Sequence, residues 1–127
     1  MTSFNAASCH SLYGSIKVPG DKSISHRSIM LGAIANGVTK ISGFLEGDDT
    51  LATLNAFQQM GVKIDRTGSN ITIYGVGKYG LKSSSKPLDL GNSGTSIRLM
   101  SGLLSAQIFN SQLCGDESLS KLSLIHI

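Results

Sequence analysis

"GDDTL", Gly47 to Leu51, returns later in the chain as "GDESL", Gly115 to Leu119, and this repeat decides the fold. Each copy sets acidic residues between a glycine and an apolar position, the pattern of a helix start. Upstream of each copy the same elements recur. Leu12–Val18 reads as a strand stopped by Pro19-Gly20, and a helix capped by Asp21 or Ser23 runs to Asn36, with Gly37 as its stop. Val38–Ser42 follows as a strand. Before the second copy come a strand (Leu88–Leu90), a loop (Gly91–Ser96), a helix (Ile97–Ala106) and a strand (Phe109–Cys114). Arg27 and Arg98 hold matching places in the two helices. After "GDDTL", capped by Asp48 or Asp49, a helix carries the stripe Leu51, Leu54 and Phe57 and closes at Gly61. "VKID" and "ITIY" then form a hairpin about "RTGSN". The unit is β-α-β-α-β-β, α/β (α+β) in class, and the chain holds one complete unit and a truncated second. Such units cover their helices by packing on sister units.

Composition narrows the function. The chain has 127 residues, 40% hydrophobic and 15% charged, which suits one small globular domain. The net charge of +3 is not gathered into runs, and aromatic residues make up 6% with no Trp, which argues against a nucleic-acid surface. Cys9 and Cys114 lack metal or disulfide spacing, so a reducing cytoplasm is the expected compartment. No apolar run reaches membrane-spanning length. Residues 1–11 lack the marks of a secretory or transit peptide and read as a loose tail.

Gly20-Asp21-Lys22-Ser23 carries the first chemistry. A nucleotide-binding P-loop is disfavoured: Gly14 and Gly20 are one residue too far apart, and Asp21 would repel a phosphate. Two readings stay open. One is a solvated turn with an ordinary surface lysine. The other is a small-anion site. With roughly 100° per residue, Arg27 falls between Leu31 and Ile34 on the apolar side of its helix and His26 on the opposite side. An inward guanidinium needs an anionic partner. Ser23 lies one turn before Arg27, and Lys22 adds a point charge beside the helix N-terminus.

The second unit repeats the arrangement in "GNSGTS", Gly91 to Ser96, where Gly94 lets backbone N–H groups approach an anion. Arg98 lies on the polar side with Ser101 and Ser105 and reads as solvent-facing. Two such loops at equivalent strand ends imply a polyanionic ligand or two anionic ligands.

"PGDKSISHR", "LGNSGTSIRLMSGLLSAQ" and "GDESL" together resemble the 5-enolpyruvylshikimate-3-phosphate synthases, the 3-phosphoshikimate 1-carboxyvinyltransferases, over about Leu12 to Ser120. The resemblance implies two similar domains, each of three β-α-β-α-β-β units. It also implies transfer of the carboxyvinyl group of phosphoenolpyruvate to the 5-hydroxyl of shikimate 3-phosphate, a step of aromatic amino-acid biosynthesis. Phosphate leaves by addition and elimination, without metal or cofactor. Carried onto this chain, Lys22, Ser23 and Arg27 match shikimate 3-phosphate contacts. Lys22 and Gly94 match phosphoenolpyruvate contacts, with Thr95 shaping the same pocket, where glyphosate would compete. The full-length relatives it resembles are expected to be monomeric. The sister family that acts on a UDP-sugar has Lys-Asn in place of Lys22-Ser23 and is the poorer match.

After "GDESLSK" the resemblance stops, and Leu122 stands where the family pattern has a phosphoenolpyruvate-binding arginine. Residues 12–121 therefore read as part of an amino-terminal domain, and 122–127 as a non-family tail, an artefact of a truncated reading frame. No catalytic residue is assigned within the chain, which is expected to be inactive alone. A non-catalytic module for small polyanions is the alternative from a different functional class.

Overall fold

The hairpin about Gly68 forms as its residues dictate, and the rest of the fold is built on it. A computed structural model describes residues 2–124. In chain order they form α1 (Lys22–Ile34), β1 (Asn36–Ile41), α2 (Asp48–Gln59), β2 (Lys63–Thr67), β3 (Asn70–Val76), β4 (Leu88–Asp89), α3 (Gly94–Ser105), β5 (Leu113–Cys114) and α4 (Glu117–Ser120). β3 is the centre of an antiparallel sheet ordered β1-β3-β2. Its alternate residues Ile71 and Ile73 are buried, and Ile73 lies opposite Thr39 on one side and Ile64 on the other. At the hairpin tip Gly68 takes φ +55°, a conformation that costs glycine little.

α1 lies across this sheet at close range because Gly32 has no side chain there. A Cβ on Gly32 would stand 2.9 Å from Ile73 Cδ1 and 3.3 Å from Thr39 Cβ. α2 packs beside α1, and Leu54, Ala56, Phe57 and Met60 join Ile29, Met30 and Ala33 in the core. Each large apolar side chain buried in this way contributes about 1.5–3 kcal/mol. β4 and β5 pair in parallel across the α3 crossover, and Leu88, Leu90, Met100 and Leu104 extend the same core.

The repeat is thus visible, with one correction. The expected strand Leu12–Val18 does not form, so the first unit is incomplete at its start. Leu12, Ile16 and Val18 are exposed, and no described strand pairs with them. β propensity alone cannot satisfy a strand's backbone groups; a ladder partner must. Several boundaries also move. Asp21 caps α1 and the helix ends at Ile34, while Gly37 enters β1 with φ +110°. Gly47, not an aspartate, caps α2; its N–H donates to Thr50 Oγ1 at 3.0 Å. α3 starts at Gly94, one turn before Ile97, and β5 is only the end of Phe109–Cys114. Residues 125–127 of the expected non-family tail lie outside the described residues.

Candidate functional site

Three helices bring their N-terminal turns together. Asp21 Oδ1 accepts the Ile24 N–H at 2.7 Å, and Ser25 Oγ takes the Leu45 N–H at 3.0 Å, tying the start of α1 to the β1–α2 connection. Gly20 permits this approach, since a side chain there would run into the Gly43 carbonyl. Thr50 Oγ1 donates to the Leu45 carbonyl at 2.7 Å, so the same connection also fixes the start of α2.

The start of α3 is held from two sides. Ser93 Oγ accepts the Ser96 N–H at 3.1 Å. Asn92 Nδ2 donates to Asp116 Oδ2 at 2.6 Å, and the Asp116 N–H donates to the Gly91 carbonyl at 3.0 Å. The second copy of the repeat motif therefore clamps the glycine-rich loop. The Asn92 bond and the Leu119 N–H hold the Asp116 carboxyl below its ordinary value.

A helix leaves its first amides without intrahelical partners. Because Asp21 takes Ile24 N–H and Ser93 takes Ser96 N–H, the donors remaining at the two ends are those of Lys22 and Ser23 and of Gly94 and Thr95. Four of the five residues singled out in the sequence thus sit at two free helix ends.

The fifth, Arg27, is placed differently from expectation. It is exposed, one turn beyond Ser23, and forms no hydrogen bond or ion pair among the described residues. His26 is the buried one. The facing inferred from Leu31 and Ile34 fails because α1 is apolar nearly all round: Leu31 is 64% exposed and Ile24 61%. The buried side is marked by Ser25, Gly32 and Ala33, small residues that allow close contact, and those were the available signal. Arg98 is exposed as expected and donates to the Ser123 carbonyl at 3.1 Å.

His26 joins the three helix starts. Its Nδ1 lies 2.9 Å from Thr53 Oγ1 on α2 and 3.0 Å from Ser96 Oγ on α3, and its Nε2 lies 3.2 Å from Ser93 Oγ. Thr53 and Ser96 are themselves 2.6 Å apart. Burial lowers the pKa of His26, the Lys22 charge lowers it further, and the Asp49 carboxylate opposes both. Sequence reading missed this cluster and one further pairing: Lys22 Nζ is ion-paired with Asp49. The other Asp49 oxygen lies 3.7 Å from where a Gly91 Cβ would stand.

Two clefts open at these helix starts. One of about 260 Å³ is lined by Lys22, Leu45, Gly47, Asp48, Asp49 and Thr50. A smaller one, about 90 Å³, lies beside Asn92 and Gly94 under Leu122, whose Cδ2 is 3.5 Å from where a Gly94 Cβ would be. A larger cleft of about 400 Å³ lies near the opposite end of α3, among Ser101, Leu104, Gln107 and Phe109, and has no charged lining residue to attract an anion.

The molecule is therefore an α/β protein of repeated build whose helix starts converge on a buried histidine. The sequence model of EPSP synthase (3-phosphoshikimate 1-carboxyvinyltransferase) matches residues 7–121, and the chain belongs to that family. The 3-phosphoshikimate 1-carboxyvinyltransferase of Ruthia magnifica subsp. Calyptogena magnifica is 72% identical over 121 residues, covering 95% of this chain and 28% of that protein. Its counterpart in Vesicomyosocius okutanii subsp. Calyptogena okutanii is 67% identical with the same coverage. The solved EPSP synthase from Acinetobacter baumannii superposes with a TM-score of 0.82 at 59% identity, covering 87% of this chain and 26% of that one. The chain thus spans about a quarter of the length of these relatives. No helix among the described residues is long and apolar enough to cross a membrane.

Proposed function

We propose that this chain is the part of a 3-phosphoshikimate 1-carboxyvinyltransferase that holds the anionic groups of both substrates. The observation that carries the reading is the pair of free helix ends, Lys22-Ser23 and Gly94-Thr95, set side by side through His26. Helix N-termini offer aligned N–H donors and a partial positive charge, and both substrates carry a phosphate and a carboxylate. Lys22 and Ser23 take shikimate 3-phosphate, with Arg27 reaching it from the exposed side of α1. Lys22, Gly94 and Thr95 take phosphoenolpyruvate, and glyphosate competes there.

In the reaction, the 5-hydroxyl gives its proton to a base as its oxygen bonds to C2 of phosphoenolpyruvate, and C3 gains a proton from an acid. The tetrahedral adduct then loses a proton from the C3 methyl group as the C2–O bond to phosphate breaks, restoring the vinyl group. Residues 12–121 supply binding and orientation, and proton transfer belongs to the longer protein, in a cytoplasmic, monomeric enzyme. The tail 122–127, with Leu122 over Gly94, takes no part in it.

Titrating the chain with shikimate 3-phosphate while following its amide resonances tests the reading. The Lys22 and Ser23 signals are expected to shift saturably, while the chain alone releases no phosphate from the two substrates. A titration that leaves Lys22 and Ser23 unmoved overturns the binding role. Turnover by the chain alone overturns the division of labour.

A further inference from the structure

His26 is wholly buried, and each of its polar contacts is a hydroxyl, so its hydrogen can be assigned by requiring an acceptor for every buried donor. Among the described residues Ser93 Oγ has two hydrogen-bond partners, the Ser96 N–H and His26 Nε2. If Nε2 carried the proton, both neighbours would be donors and the Ser93 hydroxyl hydrogen would have no acceptor. With the proton on Nδ1, every donor is satisfied. Ser93 donates to Nε2, Nδ1 donates to Ser96, Ser96 donates to Thr53, and Thr53 donates to the Asp49 carbonyl at 3.3 Å.

The resulting chain runs from the N-cap of α3, through α1 and back through α3, into the first turns of α2. The charged groups acting on the ring are the Lys22 ammonium from α1 and the Asp49 carboxylate from α2, while α3 faces it with hydroxyls. These two charges are paired with each other, which leaves the hydroxyl chain to position the ring.

We propose that His26, as the neutral Nδ1–H tautomer, is a positioning residue that locks the Gly94-Thr95 helix end to the Lys22-Ser23 helix end, so that an anion bound at one is felt at the other. This deepens the function proposed above and rests on it for the choice of ligand.

Two measurements decide it. In the ring nitrogen spectrum of 15N-histidine-labelled chain at neutral pH, His26 is expected to show a protonated Nδ1 and a bare Nε2. A protonated Nε2, in either the other tautomer or an imidazolium, overturns the assignment. The second measurement is the shikimate 3-phosphate titration, read at both helix ends. In the native chain the Gly94 and Thr95 amides are expected to move with Lys22 and Ser23 at one midpoint. In His26→Leu the Gly94 and Thr95 response is expected to fall about ten-fold while that of Lys22 and Ser23 persists. Ser93→Gly/Ser96→Ala, which removes both of the ring's bonds to α3 while keeping the ring and an acceptable N-cap, serves if His26→Leu does not fold. An undiminished response at Gly94 and Thr95 in the folded variant overturns the proposal. If the native chain responds at neither end, the ligand reading fails and the coupling falls with it, while the tautomer measurement still decides the proton assignment of His26.

Discussion

Lys22 Nζ is ion-paired with the Asp49 carboxylate, so the cation proposed to receive substrate already has an anionic neighbour. An incoming phosphate must share Lys22 with that carboxylate. Replacing Asp49 by Asn removes one negative charge while keeping the shape. Near the water limit, suited to a half-exposed lysine, a like charge roughly 5 Å away costs about 1 kcal/mol. Asp49→Asn should therefore tighten binding of inorganic phosphate by about five-fold, measured by calorimetry at low salt. Weaker or unchanged binding would mean that Asp49 orients Lys22 more than it competes for it.

Arg27 has no hydrogen-bond or ion-pair partner among the described residues, so Arg27→Ala should change the unfolding free energy by no more than about 0.5 kcal/mol. Shikimate 3-phosphate affinity should fall by about 1.5–3 kcal/mol, the worth of a charged hydrogen bond. Urea melts and a binding isotherm on the same preparation separate the two effects. A large stability loss with intact binding would restore the inward facing that the structure rejects.

His26 should make stability depend on pH. Its folded pKa is lowered from the ordinary 6.5, foremost by burial. As pH falls through 6.5, the unfolded chain takes up the proton before the folded one, so stability is full above that value and declines below it. Denaturation midpoints between about pH 7.5 and 5 should show this slope, and His26→Asn should flatten it. His26→Ala should cost about 1–3 kcal/mol for each buried hydroxyl left unsatisfied. An unchanged slope in His26→Asn would assign the pH dependence to other groups.

Two glycines should respond in opposite directions. Gly102 lies within α3 with no atom of the described residues within 4 Å of an added Cβ, beyond its own helix backbone and chain neighbours, so Gly102→Ala should stabilise by about 0.5–1 kcal/mol. Gly20→Ala would drive a methyl into the backbone of Gly43 and Leu45 and should lower the melting temperature. Thermal melts of the two variants check the pair. A gain in Gly20→Ala would show that the loop entering α1 is free to move.

Local chemistry made much of this protein legible in its residues. The stripe Leu51, Leu54 and Phe57 forecast α2 because an amphipathic period needs only one covered face. Gly68 marked the hairpin because its turn needs positive φ. The loop "GNSGTS" announced a helix to follow, although α3 opens at Gly94 under the Ser93 cap, one turn before the expected Ile97. Lys22, Ser23 and Gly94 were named from local helix-end chemistry and Thr95 from the family resemblance, and the helix ends that hold all four are a property of the chain beside them.

Tertiary structure decided what depends on partners distant in sequence. The segment Leu12–Val18 has the composition of a strand and forms none, because a strand exists only with a ladder beside it. α1 carries apolar residues on every side, so its own period could not choose between burying Arg27 and burying His26. That choice came from Gly32 against Ile73 and from the hydroxyls of Thr53, Ser93 and Ser96, which accommodate a neutral ring and offer a guanidinium no counter-charge. The pairing of Lys22 with Asp49 has the same origin, since their meeting follows from how α1 and α2 cross rather than from either helix alone.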